Sequence, residues 1–265
     1  MRPRTTDAPR MRRAAAALAL LLGLTGCSGG VVPEPQVVQA EARADLSEQP
    51  EATTFADLAD APQDPDPRGR TDGVVLHVKR ELAVRDAPGG SAFAKLPATQ
   101  LDNPTWVPVV AERGQWARVL LPSRPNGTSG WVWTGDPDLV EKARSPYLVD
   151  VDVNARRLEV FQDGRSVGEW VVGVGKAKSP TPRGRTFIMA AIEETVTHFS
   201  PIILPLGTHS ETFNSYGGGP GTVALHGWPD PAVFGRADSD GCVRVPADAL
   251  HLLSTLPLGT LVVLR

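Results

Sequence analysis

The last third of the chain gathers most of the side chains able to do covalent chemistry: His198, His209, His226, Ser239, Asp240, Cys242, Arg244 and His251. Among them the stretch "HGWPDPAVFGRADSDGC" sets His226 and Cys242 sixteen positions apart. Gly227 follows the histidine and Gly241 precedes the cysteine, so the backbone can approach closely at both places. An unperturbed thiol is only a few per cent ionised at neutral pH. A nucleophilic cysteine therefore needs a nearby base to take its proton, and aimed amides to hold the charge that develops on an attacked carbonyl. The residues alone leave two readings open, a Cys/His nucleophile and base, or a buried inert thiol with an unrelated histidine. His251 falls in a helical pattern and reads as a surface residue. One cysteine and scattered histidines lack ligand spacings such as paired CxxC or HExxH, so no metal and no cofactor are expected.

The chain has two cysteines, and the fate of the other one decides whether Cys242 can sit in a disulfide. Arg2, Arg4, Arg10, Arg12 and Arg13 precede an apolar run from Ala14 to Leu22, the pattern of a secretory signal. That run is about half of the roughly 20 residues a spanning helix needs. The following "LTGC" resembles the bacterial lipobox, in which cleavage leaves a lipid-modified cysteine as the first mature residue. The resemblance implies a lipoprotein signal peptide over 1–26 and an acylated Cys27. More than one acyl chain is what stable membrane anchoring takes. Cys242 is then left without a disulfide partner, a free exported thiol.

Composition divides the rest. Residues 27–72 are rich in Ala, Pro, Glu, Asp and Gln and poor in aromatics, which predicts a disordered acidic tether. Residues 73–136 hold short alternating runs, "VVLHVKR", "WVPVVAE", "WARVLLP" and "GWVWTGD", separated by Gly, Pro and Asn turns, a pattern of small all-β domains. The pieces "LAVRDAPGG", "QWARV" and "SGWV" resemble bacterial SH3-like domains, which implies a small β-barrel with a possible wall ligand; Trp106, Trp116, Trp131 and Trp133 serve equally as its core. Residues 137–146 read as a linker. The formal net charge of −3 includes the arginine-rich leader, and no basic cluster interleaved with aromatics appears, so nucleic acid is not an expected partner.

Residues 147–265 predict a mainly β domain with one or two helices. Asp163-Gly164 stands between two alternating runs, a strong hairpin pattern. "RTFIMAAI" and "TVALHG" read as strands, "PADALHLLSTL" as a helix opened by Pro246, and "TLVVLR" as a closing strand.

"ALHGWPDPAVFGRADSDGCVRV" resembles the catalytic motif of the L,D-transpeptidase (YkuD-type) family, in which an HG pair is followed at such a distance by S-x-G-C and a β-branched residue. "GKAKSPTPRG" resembles the family's PTPxG hairpin, and "LGTHSETFNSYGGGPG" the strand and loop before its HG. The resemblance implies a β-sandwich catalytic domain in which Cys242 is the nucleophile, His226 its base and the Gly227 carbonyl the group that orients the imidazole. It implies an oxyanion site around Gly241, a turn braced by Ser239, and substrate contacts at Arg244, His209 and Trp228. The implied substrate is the peptidoglycan stem peptide, met on the outer face of the cytoplasmic membrane. Two positions depart from the family pattern: Asp240 where many members have His, and Trp228 where many have Thr. A carboxylate at Asp240 beside the thiol would disfavour its ionisation. The alternatives are an L,D-carboxypeptidase on the same peptides and a catalytically weak wall-binding lipoprotein.

Overall fold

The computed structural model describes residues 45–216 and 219–265. The leader and Cys27 lie outside the described residues. Short apolar runs punctuated by turn residues become β1 (Val74–Val78), β2 (Leu82–Arg85), β3 (Ala92–Leu96), β4 (Thr99–Gln100), β5 (Asn103–Pro104), β6 (Trp106–Arg113), β7 (Trp116–Leu120), β8 (Ser129–Trp133) and β9 (Val140–Arg144). Seven of these form an antiparallel sheet in the order β3-β2-β8-β7-β6-β1-β9. The second unit contains β10 (Tyr147–Asp152), β11 (Arg157–Gln162), β12 (Arg165–Val171), β13 (Val174–Gly175), β14 (Gly184–Phe187), β15 (Ile192–Glu193), β16 (Ile202–His209), β17 (Thr222–His226), β18 (Ala237–Ser239), β19 (Val243–Arg244), α1 (Ala247–Leu253) and β20 (Leu261–Leu264). The fold is mainly β. Asp163-Gly164 turns β11 into β12 with φ of 48° and 77°, the positive pair such a two-residue loop demands. Pro246 stands at the N-cap of α1, the one α-helix among the described residues.

The second unit stacks a five-stranded sheet, β12-β11-β10-β20-β14, against a four-stranded one, β15-β16-β17-β19. Val149, Val151, Leu158, Val160, Val262 and Leu264 from the first sheet meet Leu204, Leu206, Val223, Leu225 and Val243 from the second, with Leu250 and Leu253 of α1 closing the core. Strand β20 is buried along its whole length, as an uninterrupted Leu-Val-Val-Leu run permits. Val262 and Leu264 face the sandwich, while the alternate Leu261 and Val263 join Phe187 and Met189 in the core of the first unit. The two units thus share one sheet as a common wall.

Two sequence-based boundaries are corrected. Residues 137–146 do not form a linker: Val140–Arg144 pairs with the full length of β1, from Val74↔Arg144 to Val78↔Val140. The predicted tether is folded from residue 45 onward. Its backbone borrows partners from the first sheet, with Ala52 N–H donating to the Lys95 carbonyl and Leu58 N–H to that of Arg124. Ala52, Leu58 and Ala61 enter the first core. Average composition failed here because one leucine and two alanines suffice when the rest of the core comes from elsewhere in the chain.

This N-terminal segment is fastened to the second unit by two buried polar contacts. Arg185 of β14 holds Asp64 bidentately, with Nε–Oδ2 and Nη2–Oδ1 both at 2.6 Å, and both side chains are nearly inaccessible. His209, at the end of β16, donates from Nε2 to the Thr54 carbonyl at 2.7 Å. Thr54 Oγ1 also lies 2.6 Å from Thr222 Oγ1 on β17. His209 is fully buried, so the expected substrate contact is corrected to a structural role: a donor anchoring residue 54. Burial, aided by the nearby Arg124 charge, lowers its pKa to about 4.

Removing one member of the Asp64–Arg185 pair strands the other charge in the interior. Arg185→Met should cost about 3–5 kcal/mol, and Asp64→Leu/Arg185→Met together should recover most of that; a neutral single substitution in urea denaturation would contradict the pair's buried character. The unfolded chain protonates His209 near its ordinary pKa of 6.5 while the folded chain resists until about 4, so stability is full above the first value and lost as pH falls toward the second. His209→Gln keeps a donor for Thr54 and should flatten the decline between pH 7 and pH 5 by about 2 kcal/mol. An unchanged slope would mean that His209 takes up its proton in the folded state.

Candidate active site

Strands β17 and β19 run parallel, with Leu225 opposite Val243 and His226 opposite Arg244. Leu225 and Val243 are fully buried in the sandwich core. Because side chains alternate along a strand, their neighbours Ala224, His226, Cys242 and Arg244 turn to the opposite face. Two positions sixteen residues apart in sequence thereby become neighbours on one surface, and the intervening loop with its short 3-10 turn at Pro231–Val233 only has to return the chain.

His226 is buried, and its Nδ1 lies 2.7 Å from the Gly227 carbonyl. A carbonyl can only accept, so Nδ1 carries the proton and neutral Nε2 presents its lone pair. The ring packs edge-on against Phe199, centroids 5.0 Å apart, and tilts against Trp228. Ser200 steadies the arrangement: its hydroxyl accepts from the Gly227 amide at 2.8 Å and donates to the Ile202 carbonyl. Burial first, and the Arg244 charge second, lower the His226 pKa to about 4 against the pull of the Gly227 carbonyl.

Cys242 is a free, part-buried thiol. Burial pushes its pKa up, Asp240 adds to that, and the Ala224 backbone and Arg244 act the other way. Depressed imidazole and raised thiol act in the same direction: burial favours the neutral form of each group over its charged one.

The turn before the sulfur is closed from inside. Ser239 Oγ donates to the Cys242 carbonyl at 2.6 Å and accepts from the Gly241 amide at 3.2 Å. Gly241 has φ of 124°, a conformation that requires glycine. Its amide is thus spent on Ser239, which differs from the oxyanion role expected for it. The Gly175–Gly184 segment forms a loop rather than the expected hairpin, since β13 pairs with β18 and β14 with β20, and it clasps the same turn: Thr181 Oγ1 donates to the Gly241 carbonyl at 2.8 Å and accepts from Gly175 N–H. Lys176 pairs with Asp240 at 2.5 Å.

Arg244 stacks over the Trp228 ring at 3.9 Å and pairs with Asp238 at 2.9 Å. A cavity of about 750 Å3 opens alongside, with Glu193, His198, Phe199, Trp228 and Leu250 in its lining. Burial first, and then the Asp240 carboxylate and any thiolate formed at Cys242, raise the phenol pKa of Tyr216 on the loop after β16. Arg124 of the first unit holds both sides of that loop, donating to the carbonyls of Ser210, Phe213 and Pro220.

Sequence reasoning therefore finds Cys242, His226, Gly227, Ser239, Gly241, Arg244 and Trp228 together, and His209 elsewhere. It misses Phe199, Ser200 and Lys176, whose contacts with the site span between 27 and 64 positions, and Tyr216, which an electrostatic influence links to Cys242. No group of three or more His, Cys, Asp or Glu side chains suited to a metal gathers among the described residues.

The model of the YkuD family, the L,D-transpeptidase catalytic domain, matches residues 146–264. The chain is 30% identical over 148 residues to the YkuD protein of Bacillus licheniformis, spanning 54% of this chain and 82% of that one. It is 29% identical over 130 residues to YkuD of Bacillus subtilis, covering 49% and 72%. A solved L,D-transpeptidase from Mycobacterium smegmatis aligns with 60% of this chain and 99% of its own at 14% identity, with a TM-score of 0.38. A family match over the whole second unit, joined to 30% identity across most of a relative's length, places this chain in the L,D-transpeptidase family.

Proposed function

We propose that the protein is a peptidoglycan L,D-transpeptidase that forms 3→3 cross-links through a thioester on Cys242. The observation that carries this reading is the alignment of β17 with β19, which puts the thiol and an imidazole with a free Nε2 on one strand face. In the first half-reaction Cys242 Sγ attacks the carbonyl joining the third residue of a stem peptide, a diamino acid, to a fourth-position D-alanine. His226 Nε2 takes the thiol proton as the bond forms and gives it to the departing nitrogen, so D-alanine leaves with a neutral amine and the acyl group stays on sulfur. In the second, the side-chain amine of a neighbouring stem attacks the thioester; His226 takes its proton and returns it to the thiolate.

A neutral imidazole suits this sequence, because the base must accept a proton during attack rather than hold one beforehand. The Gly227 carbonyl and Ser200 keep the imidazole in the required tautomer. The neighbouring cavity falls within the size range of small-ligand sites and has room for part of a stem peptide. Acylation of Cys27 would hold the enzyme on the outer face of the membrane, next to this substrate.

Incubating the full chain with tetrapeptide muropeptides should give dimers with release of D-alanine, read by mass spectrometry. D-alanine release without dimers would instead mark an L,D-carboxypeptidase, and neither product would leave a wall-binding protein. Cys242→Ala should abolish turnover and His226→Ala should lower it by about 10²–10⁴-fold, with both variants folded; full activity in Cys242→Ala would end the thioester mechanism. For the anchor, labelled fatty acid should enter the wild type in cells and not Cys27→Ser, and equal labelling of the two would remove Cys27 as the attachment point.

A further inference from the structure

Asp240 puts a carboxylate on the turn that carries the nucleophile, and a negative charge beside a thiol opposes formation of the thiolate. The structure gives that carboxylate its own counter-charge. Lys176 Nζ lies 2.5 Å from Asp240 Oδ1, with Ser179 Oγ 3.4 Å from the same oxygen. The lysine is placed by its backbone: Lys176 N–H donates to the Ser239 carbonyl at 2.9 Å, and Ser179 N–H donates back to the Lys176 carbonyl. Thr181 ties the far side of the same loop to Gly241. The β13 strand that delivers Lys176 pairs in parallel with β18, which delivers Ser239. Loop and turn are therefore one unit, and the ion pair is its charged corner.

The other charged or titratable groups around Cys242 come from each neighbouring element. They are His226 on β17, Arg244 on β19 and Tyr216 on the loop after β16. Arg244 already has Asp238 and the Trp228 face as partners. His226 is neutral, and Tyr216 is uncharged at neutral pH. Lys176 is the cation in contact with Asp240.

We infer that Lys176 is a positioning residue for the nucleophile: acting through Asp240, it neutralises the carboxylate of the catalytic turn so that Cys242 can lose its proton to His226. This rests on the reading of Cys242 as the nucleophile. It adds that the 175–184 loop does more than brace the turn, since it carries the charge that makes an aspartate tolerable there. The pair is about half exposed, so its influence on the sulfur is electrostatic, screened by salt and separable from the fold.

The test is the pH dependence of iodoacetamide alkylation at Cys242 in the full chain, followed by peptide mass spectrometry, which needs no turnover. Lys176→Met should raise the midpoint by about one pH unit, less so in about 1 M salt, and Lys176→Arg should restore it. Asp240→Asn should lower the midpoint, and in that background Lys176→Met should have little further effect. The inference is overturned if Lys176→Met leaves the midpoint in place, or raises it equally with and without Asp240, since the lysine would then act on the sulfur directly or only on the fold. A shifted midpoint in a protein that gives no muropeptide product would uphold the role of Lys176 and end the proposed transpeptidation instead.

Discussion

Leu225 and Val243 lie opposite each other in the sandwich core, and the site depends on that pairing. Moving β19 by one residue against β17 would turn Cys242 into the core and Val243 out to the surface, because strand side chains alternate with a period of two. The hydrophobic demand of the core at Leu225 and Val243 is therefore also what keeps His226, Cys242 and Arg244 on a common outer face. Packing and chemistry are set by the same register.

Around that register the remaining contacts restrict motion. The Gly227 carbonyl, Phe199 and Ser200 leave the imidazole one orientation and one tautomer. Ser239 and Thr181 consume the polar groups of the turn before the sulfur. The first unit takes part as well, since Arg124 reaches across to the carbonyls of Ser210 and Phe213 before Tyr216 and of Pro220 after it. Phe187, Met189, Leu261 and Val263 belong to the second unit by sequence and to the first unit's core by packing, so the two are mechanically coupled.

Much of this was legible from residue types. The Asp163-Gly164 hairpin, the helix after Pro246 and the closing apolar strand each follow from a local rule, and each forms where that rule puts it. The histidine–glycine pair and the SDGC turn could be recognised because a catalytic motif keeps its spacing. Val140–Arg144 was not legible as a strand: "VEKAR" reads as a polar connector, and it pairs at the sheet edge where one apolar anchor, Val140, is enough. Nor was the fold of 45–72, because two alanines, one leucine, borrowed carbonyls and partners more than a hundred positions away hold it. His209 looked like a site residue by type and by its place in the motif, but its partner is Thr54, 155 positions away.

By itself, the sequence determined most of the strands and turns and the pairing of a His-Gly with an S-x-G-C stretch, because those depend on periodicity, on glycine at positive φ and on short-range spacing. Tertiary structure decided what charge surrounds them. Whether His226 is neutral depends on burial by Phe199 and its strand neighbours. How strongly Asp240 bears on the thiol depends on its counter-charge, and Lys176, which pairs with it, lies 64 positions away; electrostatic energy falls with distance in space, not along the chain.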